Sequence, residues 1–251
     1  MKMQDKRAAE QQQRAEHRAR IQADKARRQQ PRPLARAAPV REENPVLLIL
    51  CQGTVTEVEY FNHFELATAD IKALGRAYDP EKLVQHALDL REAARPTKNP
   101  YQQVWCVFDK DDTGPGNFHA AIQRAEAQGL RVAYSNQAFE YWLLLHFDPH
   151  PGGGMSRELC GQRLEELITA VDPHVRYHST KGKHISRALF DLLEAADPGA
   201  AGQLPRRKVA VGRARAIAER WAAQGIEPAY RESTTEVYRL VQVLQQHLPA
   251  H

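Results

Sequence analysis

Carboxylate side chains cluster at the end of one apolar segment of this sequence. The segment VWCVF, residues 104–108, is followed directly by Asp109, and Asp111 and Asp112 come two and three residues later. Carboxylates this close repel one another unless a positive group lies between them, and a hard divalent cation with oxygen ligands supplies that charge. The sequence therefore predicts a Mg²⁺ or Mn²⁺ site held by Asp109, Asp111 and Asp112. The alternative, given equal weight, is an aspartate-rich loop that caps the next helix.

A second group of polar residues follows the apolar run VLLILC at residues 46–51. Gln52 comes directly after this run, Gly53 makes a tight turn, and Glu57 lies early in a predicted helix. The carboxyl end of a strand is where α/β proteins usually place their chemistry, so this turn and the helix after it form a candidate site that contains Gln52 and Glu57. Gln52 offers a carbonyl oxygen without charge, which makes it a poor ligand for Mg²⁺ and a poor general base.

Three further candidates lie closer to the C-terminus. Glu140 begins an apolar segment and is predicted to be a metal-binding or substrate-positioning carboxylate, with capping of its own helix as the alternative. Lys181 and Lys183 lie in a glycine-containing loop and are candidate phosphate contacts, with a solvated loop as the alternative. A densely basic stretch is a candidate nucleic-acid surface, although as a helix it spans more than one face. Its candidate contacts are Arg206, Arg207, Lys208 and Arg213.

Alternating strand and helix patterns must position these residues. Apolar runs predict strands at 46–51, 104–108 and 131–135 and a weaker strand at 71–78. Helical spacing predicts helices at 55–67, from residue 80 onward, and at 117–128, 139–147, 156–171, 184–196, 206–224 and after residue 236. This alternation predicts an α/β fold with a mostly parallel sheet flanked by helices, followed by a C-terminal helical part.

Several of the predicted helices carry start signals. Asp79 followed by Pro80 predicts an N-cap and a first helical position. The threonine-to-glutamate spacing at 54–57 and at 56–59 fits a capping box, as does the sequence S-T-T-E at 233–236.

The charge distribution separates an N-terminal arm from the rest of the chain. The 251 residues carry a formal net charge of +4, but residues 1–43 carry +6 and the remainder carries −2. Residues 1–43 have few large apolar side chains, so we predict a basic arm that is flexible or helical and solvated. Docking of this arm on nucleic acid or on a partner is the alternative. We predict an α/β core at 44–149 and a C-terminal helical region at 150–251, where the sequence HPGGG breaks the pattern.

Composition limits the class of protein. The longest apolar run has six residues, far short of the roughly 20 that a membrane helix needs, and no secretory signal is visible. The three cysteines, Cys51, Cys106 and Cys160, are widely spaced and lack the spacing of a zinc site. We therefore expect a cytoplasmic protein with reduced thiols in its core.

Two known types of site place Asp-x-Asp after an apolar strand. Asp109, Asp111 and Thr113 match the D-x-D-x-T sequence of haloacid-dehalogenase phosphatases, but that sequence usually ends the first strand and here it ends the third. The order of segments fits better with the TOPRIM fold, which has an acidic turn after its first strand and Asp-x-Asp after its third. A phosphatase acting on a small phosphoester stays open as a minor alternative.

The segments CQGTVTEVEYF, FDKDD, SNQAFEYWLLLHF, YHSTK and ESTTEVYRLV, in this order, resemble the RloB family of bacterial proteins over residues 44–247. The resemblance implies a TOPRIM-like, metal-dependent nuclease of an anti-phage defence system. It further implies RNA, tRNA in particular, or DNA as the substrate, and control by an ATPase partner encoded nearby. The family usually has glutamate where this chain has Gln52, and its second glutamate corresponds to Glu57.

Gln52 leaves the activity of this chain open. The chain is a naturally weakened relative, or an engineered Glu→Gln variant, or an enzyme in which Glu57 replaces the missing carboxylate. A non-catalytic subunit that binds nucleic acid or the ATPase is the corresponding alternative to the nuclease.

Overall fold

The computed structural model describes residues 2–29, 44–110, 114–200 and 202–249. The chain divides into two compact units, Met1–Glu42 and Glu43–His251. The first contains helix α1 (Lys2–Gln29), whose described side chains are exposed. A helix that is polar all round has no apolar stripe to bury. The predicted solvated arm at residues 1–43 stays a prediction. The predicted boundary between residues 149 and 150 stays a prediction.

A five-stranded sheet forms the centre of the second unit, within the described residues. Its strands are β1 (Val46–Cys51), β2 (Asp70–Gly75), β3 (Tyr101–Asp109), β4 (Arg131–Asn136) and β5 (Thr234–Thr235). The strand order is β2-β1-β3-β4-β5; the first four strands are parallel, and β5 runs antiparallel to β4. The predicted α/β fold with a mostly parallel sheet is confirmed, and the arrangement is consistent with a TOPRIM-like fold.

Helices cover both faces of this sheet. In the described part of the second unit they are α2 (Thr56–Asn62), α3 (Pro80–Ala94), α4 (Pro115–Ala127), α5 (Glu140–Leu144), α6 (Arg157–Val171), α7 (Arg187–Glu194), α8 (Arg206–Ala223) and α9 (Val237–Gln245), with one 3₁₀ helix at Pro228–Tyr230. One hydrophobic cluster joins the sheet to α3 and α4, and the other joins it to α2 and to α5 through α9.

Strand β1 belongs to both hydrophobic clusters, which explains its continuous apolar sequence. Leu47 and Ile49 lie in the cluster with the C-terminal helices, and Leu48 and Leu50 lie in the cluster with α3 and α4. All four side chains are fully buried, because successive side chains of a strand point to opposite faces and both faces are covered here.

The helix start signals give mixed results. Asp79 caps α3, since its carboxylate accepts a hydrogen bond from the Lys82 backbone N–H at 2.9 Å. The capping boxes predicted at 54–57 and 56–59 are wrong: the N-cap of α2 is Val55, without a side-chain cap hydrogen bond. Both glutamates make other contacts, described below.

The capping box predicted at 233–236 is also wrong. Thr234 and Thr235 form β5 instead, and Thr235 pairs with Ser135 of β4, with 2.9 Å between their hydroxyl oxygens. Pairing with the open edge of a parallel sheet therefore takes precedence over the local helix signal, and α9 begins at Val237.

The three cysteines are free and buried, as expected. No helix in the described part of the chain is long and apolar enough to cross a membrane.

Candidate functional site

A cavity of about 360 Å³ opens where β1 and β3 end. Its volume lies within the range of small-ligand sites, and its position is the carboxyl edge of the sheet, where α/β proteins bind ligands. The side chains of most chemical interest that line it are Gln52, Glu57, Asp109, Glu140, Arg157 and Lys183. The sequence predicted all of these as site residues except Arg157.

Gln52 connects the ends of β1 and β3. Its side-chain Oε1 accepts a hydrogen bond from the Asp109 backbone N–H at 3.0 Å, and its own backbone N–H donates to the Val107 carbonyl at 2.8 Å. Because the Asp109 N–H needs an acceptor, the oxygen of the Gln52 side-chain amide must face it. The NH₂ group of the same amide therefore points elsewhere. An NH₂ group donates hydrogen bonds and does not bind cations.

Asp109 contacts a cation from outside the predicted core. Arg157, the first residue of α6, places Nη2 3.1 Å from the Asp109 carboxylate. Ser156 fixes the start of this helix, since its hydroxyl accepts a hydrogen bond from the Leu159 N–H at 3.2 Å. The crowded strand end requires positive charge, and among the described residues Arg157 contributes it. Arg157 lies 48 residues from Asp109 in the sequence, and no motif connects the two, so the sequence did not predict this contact.

Glu57 points back at the turn that precedes its helix. Its Oε1 accepts a hydrogen bond from the Gly53 N–H at 3.2 Å, and a Cβ at residue 53 would overlap the Glu57 carboxylate. The residue is 5% exposed. Burial raises the pKa of the Glu57 carboxyl and the charge of Glu140 acts in the same direction, against the Gly53 hydrogen bond. The cavity therefore contains a carboxyl group that holds its proton more tightly than usual.

Glu140 is buried and paired rather than a helix cap. It lies in the first turn of α5, whose N-cap Phe139 makes no side-chain cap hydrogen bond. Its Oε1 accepts hydrogen bonds from Lys183 Nζ at 2.6 Å and from the Tyr177 hydroxyl at 3.2 Å. Of the two loop lysines, Lys183 lines the cavity, whereas Lys181 is exposed. Of the two candidate phosphate contacts, the structure thus places Lys183 in the cavity and Lys181 outside it.

The model of the RloB-like protein family matches residues 47–244, a range that contains every residue lining this cavity. The chain belongs to the RloB-like family. Comparison with curated proteins and with solved structures gives no match.

In this RloB-like chain, the prediction that Arg206 and Arg207 contact nucleic acid is wrong, because each residue is only 6% exposed. Arg207 Nε donates to Glu194 at 2.7 Å, and Arg206 Nη1 donates to the Leu192 carbonyl at 3.2 Å. Both residues join the start of α8 to α7. Their positive charge stabilises the fold and is not presented to a ligand.

The other two basic candidates differ from this pair. Arg213 is half-buried and donates to the Leu145 carbonyl at 2.8 Å, which ties α8 to the end of α5. Lys208 is exposed, so its contact with nucleic acid stays a prediction.

The oxygen donors of this RloB-like site suit a hard cation in chemical type. Asp111 and Asp112 lie outside the described residues. Within the described part, no three His, Cys, Asp or Glu side chains are grouped closely enough to hold a metal ion. The Mg²⁺ or Mn²⁺ site predicted at Asp109, Asp111 and Asp112 therefore stays a prediction.

Proposed function

We propose that this RloB-like chain is built as a nuclease, with the cavity between β1 and β3 as the place where a phosphodiester is bound and cleaved. One observation carries the proposal: three acidic side chains, Glu57, Asp109 and Glu140, line a single cavity together with two cations. Phosphoryl transfer needs this combination, because it requires binding of an anionic phosphate and movement of protons to and from oxygen.

Arg157 and Lys183 bind the phosphate in this proposal. Arg157 lies at the N-terminus of a 15-residue helix, where its guanidinium and the helix dipole both favour an anion. Lys183 reaches into the cavity from the opposite loop and is already oriented by Glu140 at 2.6 Å. Each cation is held by a carboxylate, so both are positioned before a phosphate arrives.

Glu57 serves as the proton donor to the leaving oxygen. A general acid must be protonated near its working pH, and burial together with the charge of Glu140 raises the pKa of the Glu57 carboxyl in that direction. The Gly53 N–H keeps one oxygen in place.

Asp109, Asp111 and Asp112 would hold Mg²⁺ or Mn²⁺. When bound, such an ion supplies an activated water and stabilises negative charge on the phosphate. A glutamate at position 52 adds the carboxylate that this chain lacks, so we expect Gln52→Glu to be the more active form.

A non-catalytic binding subunit is the second candidate function. It is favoured by the Gln52 contact, since the side-chain oxygen accepts the Asp109 N–H and the remaining NH₂ is no cation ligand. In either case, resemblance to the family supports a role in anti-phage defence, with an ATPase partner and RNA or DNA as the bound nucleic acid.

A cleavage assay on total tRNA and on plasmid DNA, with Mg²⁺ or Mn²⁺, tests the proposal. It compares the unaltered chain, Gln52→Glu, and Gln52→Glu combined with Asp109→Ala, after circular dichroism has verified that all three fold. We expect cleavage by Gln52→Glu and its loss when Asp109 is replaced.

The other outcomes have distinct meanings. Cleavage by the unaltered chain would show that the carboxylates already present suffice without one at position 52. Absence of cleavage from all three, also with an ATPase partner present, would overturn the nuclease and leave the binding subunit.

A further inference from the structure

A second cavity of about 360 Å³ lies beside the first along the same edge of the sheet. Lys110 lines it, directly after Asp109 of the first cavity, and Met155 lines it two residues before Arg157 of the first cavity. Asp109 and Lys110 are consecutive in the sequence, so the two cavities are neighbours at the end of β3. The proposed function does not use the second cavity.

An exposed aromatic ring stands at this second cavity. Tyr230 is 66% exposed, the largest value among the large hydrophobic side chains of the described residues. Its backbone ends the 3₁₀ helix Pro228–Tyr230 and is held from both sides, since the Asn136 side-chain amide donates to the carbonyls of Pro228 and Arg231. A flat apolar ring is therefore exposed on a fixed backbone.

The charges at this cavity do not favour a second phosphate. Arg231 Nη1 lies 3.4 Å from Glu236 Oε1, and this carboxylate offsets the charge of Arg231. Lys110 and the exposed Glu232, which have opposite charges, both line the cavity. Gln137 adds an exposed amide that both donates and accepts hydrogen bonds. An aromatic face, an amide and one charge of each sign suit a neutral heterocycle with hydrogen-bonding edges.

The loop that contributes Gly154 and Met155 to this cavity is also anchored. His150 Nδ1 accepts a hydrogen bond from the Gly152 N–H at 3.2 Å and lies 3.0 Å from the Tyr141 hydroxyl oxygen. A Cβ at Gly152 would lie 2.7 Å from Ile217, so the loop packs too closely for a larger residue there. Its next residues, Gly154 and Met155, line the cavity.

We propose that the second cavity is a nucleobase subsite, in which a base of single-stranded nucleic acid stacks on Tyr230 while the neighbouring phosphate occupies the first cavity. This proposal rests on the proposed function for the identity of the ligand. Stacking on an exposed aromatic ring accepts any base and requires an unpaired strand, so the substrate class is a single strand or a loop.

Binding of a fluorescein-labelled single strand of about ten nucleotides, as RNA and as DNA, tests the subsite. Fluorescence anisotropy is measured in EDTA, where metal-dependent cleavage does not interfere. The full chain is compared with Tyr230→Ala, with Tyr230→Phe and with Tyr78→Ala, which removes an exposed tyrosine that lines neither cavity. A second probe of equal length carries abasic sites, which keep the phosphates and remove the bases.

We expect Tyr230→Ala to raise the Kd of the intact probe by roughly 5- to 100-fold. Tyr230→Phe and Tyr78→Ala keep the affinity of the unaltered chain. The abasic probe binds the unaltered chain about as weakly as the intact probe binds Tyr230→Ala.

Three results would overturn the subsite: no binding of the intact probe by the unaltered chain, equal binding of the intact and abasic probes, or no loss in Tyr230→Ala. Failure of the nuclease is recognised separately. Binding that depends on Tyr230, without cleavage by Gln52→Glu, keeps the subsite and rejects the nuclease, whereas cleavage without an effect of Tyr230→Ala does the reverse.

Discussion

The three acidic side chains described in the first cavity differ in how their charge is accommodated. Asp109 contacts Arg157, Glu140 contacts Lys183, and the Glu57 carboxyl has a raised pKa that favours its neutral form. Gln52 adds no charge to this set. A glutamate at position 52 adds a negative charge to it, which increases the demand for a cation at the end of β3.

Gly53→Ala tests whether Glu57 acts from its observed position. The new Cβ would overlap the Glu57 carboxylate, so the carboxylate must move away from the turn. Because general acid–base catalysis contributes about 10²- to 10⁴-fold, we expect cleavage in the Gln52→Glu background to fall by about 100-fold or more. The measurement is the initial cleavage rate at saturating metal concentration.

The matched control for this change is Gly116→Ala. Gly116 lies in α4, and a Cβ there meets no neighbouring atom of the described residues within 4 Å, so its replacement is expected to leave cleavage unchanged. An unchanged rate in Gly53→Ala itself would show that Glu57 does not act from the place it holds in this structure.

Part of this site can be predicted from the sequence, because neighbouring parallel strands end at the same edge of a sheet. Gln52, Glu57 and Asp109 follow two strands, so their proximity could be predicted. Arg157 could not, since its placement depends on how α6 packs beside the sheet. Arg207 was misjudged for the same reason: its burial against α7 is a property of helix packing and not of the basic sequence itself.

At the scale of elements, helix α2 holds the loop that carries Lys183. The Glu59 carboxylate accepts hydrogen bonds from the Ile185 N–H at 2.7 Å and from His184 Nδ1 at 2.8 Å. Thr56 adds a hydrogen bond from its hydroxyl to the Lys183 carbonyl at 2.8 Å. One short helix therefore positions both Glu57 and the loop that faces it.

Glu59→Ala is expected to release this loop without unfolding the protein. Hydrogen bonds to a charged group contribute about 1.5–3 kcal/mol, so local opening increases by about 10- to 100-fold. Trypsin cleaves after lysine, so we expect faster cleavage after Lys181 and Lys183 in this variant. Mass spectrometry of the fragments identifies the cleavage sites.

Glu65→Ala provides the comparison for Glu59→Ala. Glu65 also pairs with this region, through Arg187 at 2.7 Å, but its side chain is 78% exposed, and exposed pairs contribute little. Equal protease sensitivity of the two variants would contradict the role given to Glu59.

Local sequence patterns predicted which helices and strands form more accurately than the residues at which they begin and end. Asp79 and Pro80 identified the start of α3 because both act within one helical turn. The S-T-T-E sequence failed because Thr235 pairs with Ser135, a partner 100 residues away that no local pattern contains. Glu59 likewise contacts a loop 126 residues away instead of capping α2.

At the scale of the whole molecule, the core contains a histidine that remains neutral. His146 is fully buried, its Nδ1 lies 3.0 Å from the Trp142 carbonyl, and the two rings are 4.8 Å apart. Burial lowers the pKa of His146 from 6.5 to about 3, with the charges of Arg207 and Arg213 acting in the same direction. Unfolding therefore releases a group that takes up a proton at mildly acidic pH.

This pKa shift predicts acid sensitivity of the fold. Because the folded pKa is lower than the unfolded one, the stabilisation is complete above pH 6.5 and decreases as the pH falls toward 3. Between pH 6.5 and pH 5 the free energy of unfolding is expected to fall by about 2 kcal/mol through His146 alone. Urea denaturation of the unaltered chain and of His146→Asn, at pH 7 and at pH 5, measures this contribution.

In His146→Asn the side-chain amide still donates to the Trp142 carbonyl but does not titrate. We expect this variant to be less stable at pH 7 and to lose about 2 kcal/mol less than the unaltered chain on acidification. An equal loss in both proteins would assign the acid sensitivity to other groups.

The two-residue strand β5 has a consequence for the newly made chain. Its partner Ser135 is synthesised 100 residues before Thr235, an interval of about 5–20 s at ordinary rates of translation. Throughout that interval the outer edge of β4 at Ser135 and Asn136 lacks its partner strand and is a template for pairing with another chain. The nascent protein therefore presents this short edge to neighbouring chains after β4 has emerged, and pairing with β5 ends that period.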